Sequence, residues 1–427
     1  MRISTNMLYD MGAGRISEMQ GATVRTQQQI SSMKRILSPA DDPIGSARVL
    51  ELSQSKSINE QYAVNRNNAR TALAQQEGAL GDLTKLVQDI QDLVVKAGNP
   101  SLGNEERRYL AVELQGRLDD MMGVANSKDG TGNYMFGGYN VTNTPFTTGA
   151  GRVNYNGDQG QRNLMVGNDR QIALNSSGSE VFERVRTGNG TFVAAADANN
   201  TGTGVPSQGV VTDGNNLTFF KVVFAVDTEG VTTYDIVDPV TGESLRPVLL
   251  DPVTGDPLPP ELDPITGDPL PPPGEPFVAG DAIEYGGMQF TITGQPADQD
   301  SFLVKPSENK SVFTSVQELI DVLSRPVSND MERTKYQNGL NQASLEMTSM
   351  LDNLLAVRAS VGARLQEIER LDSTGLDRDL YYETAISEIQ DLDYVKALSD
   401  LARQQVTLEA AQKTFVTVSG LSLFKML

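Results

Sequence analysis

The chain has 427 residues, of which 38% are hydrophobic and 6% aromatic, and its formal net charge is -20. This charge argues against nucleic acid and anionic membrane surfaces as partners, because both require a basic patch and no Lys/Arg-rich run is present. The absence of cysteine and histidine removes thiolate chemistry and the commonest general base and zinc ligand, so no cofactor, metal site or catalytic group is expected.

The opening segment, residues 1–10 (MRISTNMLYD), has no basic stretch followed by an apolar stretch. A cleaved signal peptide is therefore not expected. No apolar run of 18 residues occurs, so no membrane-spanning helix is expected.

The first periodic segment runs from Ile16 to Leu37 with spacings that alternate between three and four, which is typical of a coiled-coil helix. Two prolines and two aspartates in residues 38–43 (SPADDP) are expected to end this helix and to cap the next, which begins near Ile44. The predicted seam positions are Ile16, Met19, Thr23, Thr26, Ile30, Met33 and Leu37.

The longest regular pattern continues the same alternation from Ile58 onward and predicts a helix over residues 59–97. At 1.5 Å per residue this helix would be about 60 Å long, and Gly98-Asn99-Pro100 would end it. A further helix is predicted over residues 105–125, followed by glycine-rich turns at 128–138.

The period changes to two between Tyr139 and about Lys310, as in residues 218–226 (TFFKVVFAV) and 288–292 (MQFTI). Gly, Asn and Asp separate these short runs. An all-β insert of short strands is therefore predicted over residues 139–310.

Inside the insert, one short unit beginning with Asp-Pro-Val/Ile-Thr-Gly occurs three times, at Asp238, Asp251 and Asp263. The proline-dense region 238–276 has too few apolar side chains to bury, which predicts an extended or mobile surface arm. Its aspartates could instead form a weak cation site or an adhesive surface, although the alternating ligand pattern of a calcium-binding EF-hand loop is missing.

Helical periodicity returns at Ser311 and continues through a second long helix with seam positions from Leu340 to Ile368. A last helix is predicted from about Leu376 to the end of the chain. Its predicted seam positions are Tyr394, Leu398, Leu401, Gln405, Leu408 and Phe415, flanked by Val395, Val406, Val416 and Leu423.

Because neither terminal heptad region has a partner nearby in sequence, the two are expected to pair with each other. The predicted fold is α+β, a long coiled-coil helical rod formed by both chain ends with an inserted β-rich outer domain. Each terminal stripe is wider than one pair needs, so part of it should contact neighbouring subunits. An intramolecular four-helix core with frayed ends is the alternative. The predicted self-association residues are Ile16, Met19, Ile30, Met33, Leu37, Leu398, Leu401, Leu408, Phe415 and Leu421.

Five segments, in this order along the chain, resemble the flagellin family of bacterial flagellar proteins. They are MRISTNMLYD (1–10), RILSPADDPIG (35–45), NYMFGG (133–138), RASVGARL (358–365) and GLSLFKML (420–427). The resemblance implies three domains: a terminal helical D0 (1–42 with 390–427), a helical-bundle D1 (43–138 with 311–389) and an outward β-rich D2 (139–310).

The resemblance also implies a function and partners. The expected function is that of a secreted, extracellular structural subunit joining the flagellar hook to the filament. Its expected partners are copies of itself in a ring, an adjacent hook-associated protein, flagellin, a flagellar export chaperone and the type III export apparatus. A flagellin that forms the filament itself is the alternative, and a surface-adhesive appendage subunit is a weaker one. The start MRISTN and the end SLFKML favour the junction subunit.

Two short motifs suggest chemistry but have simpler explanations. Ser31 and Lys34 have the spacing of a serine hydrolase nucleophile and base, yet no companion motif accompanies them. Asp41 and Asp42 precede Pro43 and a new helix, so they are expected to cap that helix and to interact with its dipole.

Overall fold

The computed structural model of the chain describes residues 5–149, 151–246 and 274–424; within them, the side chains of residues 5, 6, 8 and 419–424 are not described. The helices within this part of the chain are α1 (Thr5–Ser32), α2 (Pro43–Ala97), α3 (Asn104–Ala125), α4 (Gly178–Phe182), α5 (Val312–Ser324), α6 (Asp330–Gln390) and α7 (Tyr394–Phe424). The strands are β1 (Phe146–Gly149), β2 (Arg152–Tyr155), β3 (Asn163–Gly167), β4 (Arg170–Ala173), β5 (Val185–Arg186), β6 (Phe192–Ala196), β7 (Val205–Pro206), β8 (Val210–Val211), β9 (Phe220–Val226), β10 (Thr232–Val237), β11 (Glu275–Pro276), β12 (Ala282–Tyr285), β13 (Met288–Thr293), β14 (Ser301–Pro306) and β15 (Asn309–Lys310).

The α+β class predicted from the sequence is confirmed, since long helices formed by both chain ends bracket a β-rich insert. The predicted helix over residues 105–125 corresponds to α3. The two stretches predicted to begin near Ile44 and at Asn59 form one continuous helix, α2. The prediction that the last helix begins at about Leu376 is wrong, because α6 continues through Leu376 to Gln390 and α7 begins at Tyr394.

The first helix ends earlier than its heptad pattern predicts. It ends at Ser32, and Met33 has a positive φ of 58°. A residue in this left-handed region cannot continue a right-handed helix. Met33 and Leu37, the last two predicted seam positions, therefore lie outside α1.

The chain divides into two compact units. One comprises residues 1–68, 165–171 and 367–427, and the other comprises residues 69–164 and 172–366. The first unit holds α1 and α7 with adjoining parts of α2 and α6. The second holds α3, α5 and the larger sheets. The division into D0, D1 and D2 stays a prediction.

The β-rich insert is organised around a five-stranded antiparallel sheet with the strand order β11-β10-β9-β14-β6. A smaller sheet has the order β12-β13-β7, and β8 also pairs with β13. Alternate residues of β9 and β13 point into one apolar core, as the period of two predicts. That core contains Phe192, Phe220, Val222, Phe224, Ile236, Ile283, Met288, Phe290, Ile292, Phe302 and Val304.

The predicted arm over residues 238–276 is described only at its two ends. Asp238 accepts hydrogen bonds from the backbone N–H groups of Val240 and Thr241 in the first repeat. At the other end, β11 pairs with β10 at the edge of the five-stranded sheet. The repeats that begin at Asp251 and Asp263 lie outside the described residues.

Candidate assembly surface

The two terminal helices α1 and α7 pack against each other in antiparallel orientation. The rings of Tyr9 and Phe415 are 5.0 Å apart near one end of the pair. Gly12 lies against the same Phe415 ring, and a Cβ atom at this position would lie only 2.7 Å from it. At the other end, the backbone N–H of Leu392 donates to the carbonyl of Met33 at 3.0 Å.

Six of the predicted interface residues lie on the facing sides of this pair and are half-buried there: Ile16, Met19, Ile30, Leu401, Leu408 and Phe415. Three others, Met33, Leu37 and Leu398, are 68%, 37% and 43% exposed. Leu421 is helical, but its side chain lies outside the described residues.

The seam of α7 differs from the predicted one at three positions, because Tyr394, Leu398 and Gln405 are exposed. The least exposed positions of α7 follow the spacings four, three, four, three and four: Ala397, Leu401, Gln404, Leu408, Ala411 and Phe415. Small residues at 397 and 411 allow close packing of the helices, whereas the sequence pattern favoured the larger Tyr394 and Leu398. Ala397 and Ala411 are the signal that was missed. They continue the alternating spacing of Leu401 and Leu408 along the helix, although they are small.

The middle of the seam is polar. Thr23 and Thr26 of α1 are buried, and Gln404 of α7 is half-buried. The Thr23 hydroxyl donates to the carbonyl of Met19 at 2.9 Å, and the Thr26 hydroxyl donates to the carbonyl of Ala22 at 3.1 Å. The side-chain Oε1 of Gln404 is buried and accepts no hydrogen bond from the described residues.

Replacing Gln404 with leucine is expected to stabilise the α1/α7 pair. A buried acceptor without a donor costs about 1–3 kcal/mol, and leucine removes that cost while filling a similar volume. Urea denaturation followed by circular dichroism, together with the rate of proteolysis within α7, would measure the gain. The exposed neighbouring variant Gln405→Leu is the control and should change neither quantity. A less stable Gln404→Leu variant would contradict this explanation.

Most of the apolar surface of the terminal pair is not covered. Among the described side chains of α1 and α7, Ala397 is the single apolar one that is fully buried. Val395 and Val406, predicted to flank the seam, are 79% and 69% exposed. The large exposed apolar side chains of these two helices include Met7, Tyr9, Met11, Val24, Tyr394, Val395, Leu398, Val406 and Val418.

The motifs that could suggest chemistry have structural roles. Asp42 caps α2, because its Oδ1 accepts a hydrogen bond from the N–H of Gly45 at 2.9 Å, as expected. The hydroxyls of Ser31 and Ser32 donate to carbonyl groups of their own helix, those of Gln28 and Gln29. Within the described ranges, no group of three acidic side chains is placed to hold a metal ion. None of the helices described here has a stretch long and apolar enough to cross a membrane.

Comparison with known proteins agrees with this architecture. Residues 3–141 match the model of the bacterial flagellin N-terminal helical region. Flagellar hook-associated protein 3 of Salmonella typhimurium is 26% identical over 427 residues, which cover 100% of this chain and 99% of that protein. The crystal structure of the flagellar junction protein FlgL from Legionella pneumophila is 30% identical, with a TM-score of 0.67, over 81% of this chain and all of that one. The chain belongs to the flagellin family.

Within the family, the likeness to the junction proteins extends over most of the chain. The crystal structure of hook-associated protein 3 from Legionella pneumophila has a TM-score of 0.70 and 29% identity, and the match covers 80% of this chain and 98% of that one. By contrast, the match to a flagellin from Escherichia coli covers only 33% of this chain. The family resemblance predicted from five short segments is thus confirmed.

Proposed function

We propose that this protein is the structural subunit that joins the flagellar hook to the filament, and that it assembles through the exposed apolar faces of α1 and α7. One observation supports the proposal above all. Within the described residues, α1 and α7 bury almost no apolar side chain fully between them, and many of their apolar side chains are exposed. The relatives that match over the full length are named as hook-associated protein 3.

Burying one Val, Leu, Met or aromatic side chain against a neighbour contributes roughly 1.5–3 kcal/mol. A pair that buries little by itself gains more from a neighbour than a pair that already has a full core. Repeated contacts between copies would therefore order and hold the terminal helices.

The same surface defines the proposed partners. Copies of this chain would form a ring, with an adjacent hook-associated protein on one side and flagellin on the other. An export chaperone and the type III export apparatus would handle the chain before assembly, and the assembled protein would be extracellular and serve motility. The proposed role requires no catalytic group and no cofactor.

The substitution Val406→Asp tests the exposed apolar face of α7. Val406 is exposed in the single chain, so a charge there should leave the α1/α7 pair folded but should prevent burial against a neighbour. We expect the variant to be secreted and yet not incorporated, so that cells expressing it shed flagellin into the medium and lose motility. Immunoblots of medium and of sheared flagella would measure this.

The matched control is Gln412→Asp, which adds the same charge at an exposed polar position of the same helix. It should support normal filaments. Normal incorporation of Val406→Asp would refute the proposed surface. Charged substitutions at Leu401 or Leu408 are less specific, because these residues lie in the seam between α1 and α7.

A flagellin that forms the filament itself remains the alternative, since flagellins match part of the chain. Immunogold labelling of isolated flagella separates the two functions. Label confined to the distal end of the hook supports the junction subunit, and label along the whole filament supports the alternative.

A further inference from the structure

The exposed methionines of this chain are concentrated near its N-terminal end. The sequence has 14 methionines. Among those whose side chains the structure describes, four are largely exposed, namely Met7 (57%), Met11 (55%), Met33 (68%) and Met165 (40%). Met7 and Met11 belong to α1 and Met33 directly follows it, whereas Met165 lies in β3.

The composition makes methionine the main target of a mild oxidant. Cysteine, tryptophan and histidine are absent, so these oxidisable side chains do not compete for the oxidant. Hydrogen peroxide transfers one oxygen atom to the thioether sulfur: the S–O bond forms as the O–O bond breaks, and water leaves. The sulfur is thereby oxidised by two electrons to a sulfoxide, and the peroxide is reduced. Exposure governs the rate, because the oxidant must reach the sulfur.

The position of these side chains gives their oxidation a consequence. Met7 and Met11 are four residues apart in α1, so they lie on the same side of that helix. Both belong to the exposed apolar face that the proposed function assigns to contacts with neighbouring subunits. A thioether suits such a face, because it is apolar and adapts to an irregular neighbour. A sulfoxide does not, because its oxygen is polar and requires a hydrogen-bond donor when it is buried.

We propose that the sulfur atoms of Met7, Met11 and Met33 are oxidation sites that control whether a subunit can assemble. In the thioether form they pack against neighbouring copies, and in the sulfoxide form they oppose that burial. This inference rests on the proposed function and adds to it a chemical modification of the same surface. It requires only that these side chains meet solvent before assembly and a neighbouring subunit afterwards.

The reaction itself can be followed at each methionine by mass spectrometry of peptides. In the purified protein, we expect hydrogen peroxide to oxidise the four exposed methionines about tenfold faster than the buried Met288. In isolated flagella, neighbouring subunits should slow the oxidation of Met7 and Met11 by about the same factor. Met165 should keep its rate, because it lies outside the proposed assembly surface.

A competition inside one cell tests the effect on assembly. Cells express the unaltered chain together with the variant Met7→Leu/Met11→Leu/Met33→Leu, and their flagella are sheared off and regrow with or without hydrogen peroxide. Mass spectrometry of the regrown flagella gives the ratio of variant to unaltered subunits. Both subunits meet the same cell and the same oxidant, so effects of peroxide on other proteins cancel. Whatever the ratio is without peroxide, it should rise at least about threefold with peroxide, because leucine stays apolar.

The matched control is the same competition with Met165→Leu, whose ratio should not respond to peroxide. Single variants at Met7 and at Met11 replace the triple variant if the triple variant is not incorporated. The proposal is overturned by a ratio that peroxide leaves unchanged, by an equal rise with Met165→Leu, or by equal oxidation of Met7 in free protein and in flagella. Failure of the proposed function gives a different result, since the chain would then be missing from regrown flagella with and without peroxide, which would overturn both.

Discussion

Alanine in place of Phe224 is expected to cost the β-rich insert about 3–5 kcal/mol of stability, the usual range for truncating a buried phenylalanine. Its ring is 1% exposed in the centre of the five-stranded sheet. It packs edge-on against Phe277 at 5.0 Å and against Phe302 at 5.7 Å. The substitution therefore leaves a cavity and removes two aromatic contacts at once.

Hydrogen exchange of the β9 and β14 amides, followed as a function of urea, would measure this loss within the insert. Val240→Ala is the matched control, because Val240 is 92% exposed and should contribute nothing measurable. We expect Phe224→Ala to leave incorporation into flagella intact, since the proposed assembly surface lies on α1 and α7. An unchanged exchange profile, or a loss of protection confined to α1 and α7, would contradict the assignment of Phe224 to the core of the insert.

Helical periodicity was sufficient to predict the fold class, because long amphipathic helices repeat one simple pattern many times. It also identified Ile16, Met19, Leu401, Leu408 and Phe415 as seam residues. It was less accurate at the helix ends. The pattern continues through Met33, but hydrogen bonds between the α1–α2 and α6–α7 connections end α1 at Ser32, and such non-local bonds leave no periodic signal.

The β-rich insert shows a different limit. A period of two predicted short strands, but it carries no information on which strands pair. Strand β14 pairs with β9 and β6, which lie far from it in sequence. This strand order depends on packing of Phe192, Phe220 and Phe302 into one core, and several orders could satisfy the same alternation.

Buried polar sites were the least predictable features. Arg66 lies in α2, and an arginine side chain on a long helix ordinarily extends into solvent. Instead its side chain is 4% exposed. It pairs with Asp372 of α6 and donates to the carbonyl of Val166 in the β3–β4 hairpin at 3.2 Å. Neither partner is near it in sequence, so no local pattern could reveal the contact.

Two further contacts hold the same hairpin within this unit. Asn65 donates to the carbonyl of Met165 at 2.7 Å. Arg170, at the start of β4, pairs with Glu367 of α6. The Arg66 side chain connects its own helix, α2, to α6 and to the hairpin. Its removal therefore affects all three elements.

Replacing Arg66 with methionine is therefore expected to destabilise the first compact unit by about 3 kcal/mol. This is the lower end of the range for breaking a buried ion pair, because the Asp372 side chain is 27% exposed and keeps some hydration. The midpoint of urea denaturation and hydrogen exchange of the Val166 amide would both report the loss. Arg48→Met, at an exposed ion pair with Glu51, should change neither. The double variant Arg66→Met/Asp372→Leu should recover part of the stability, because it also removes the carboxylate that Arg66 contacts. If the double variant is less stable than Arg66→Met alone, the destabilisation comes from lost packing and not from the separated charge.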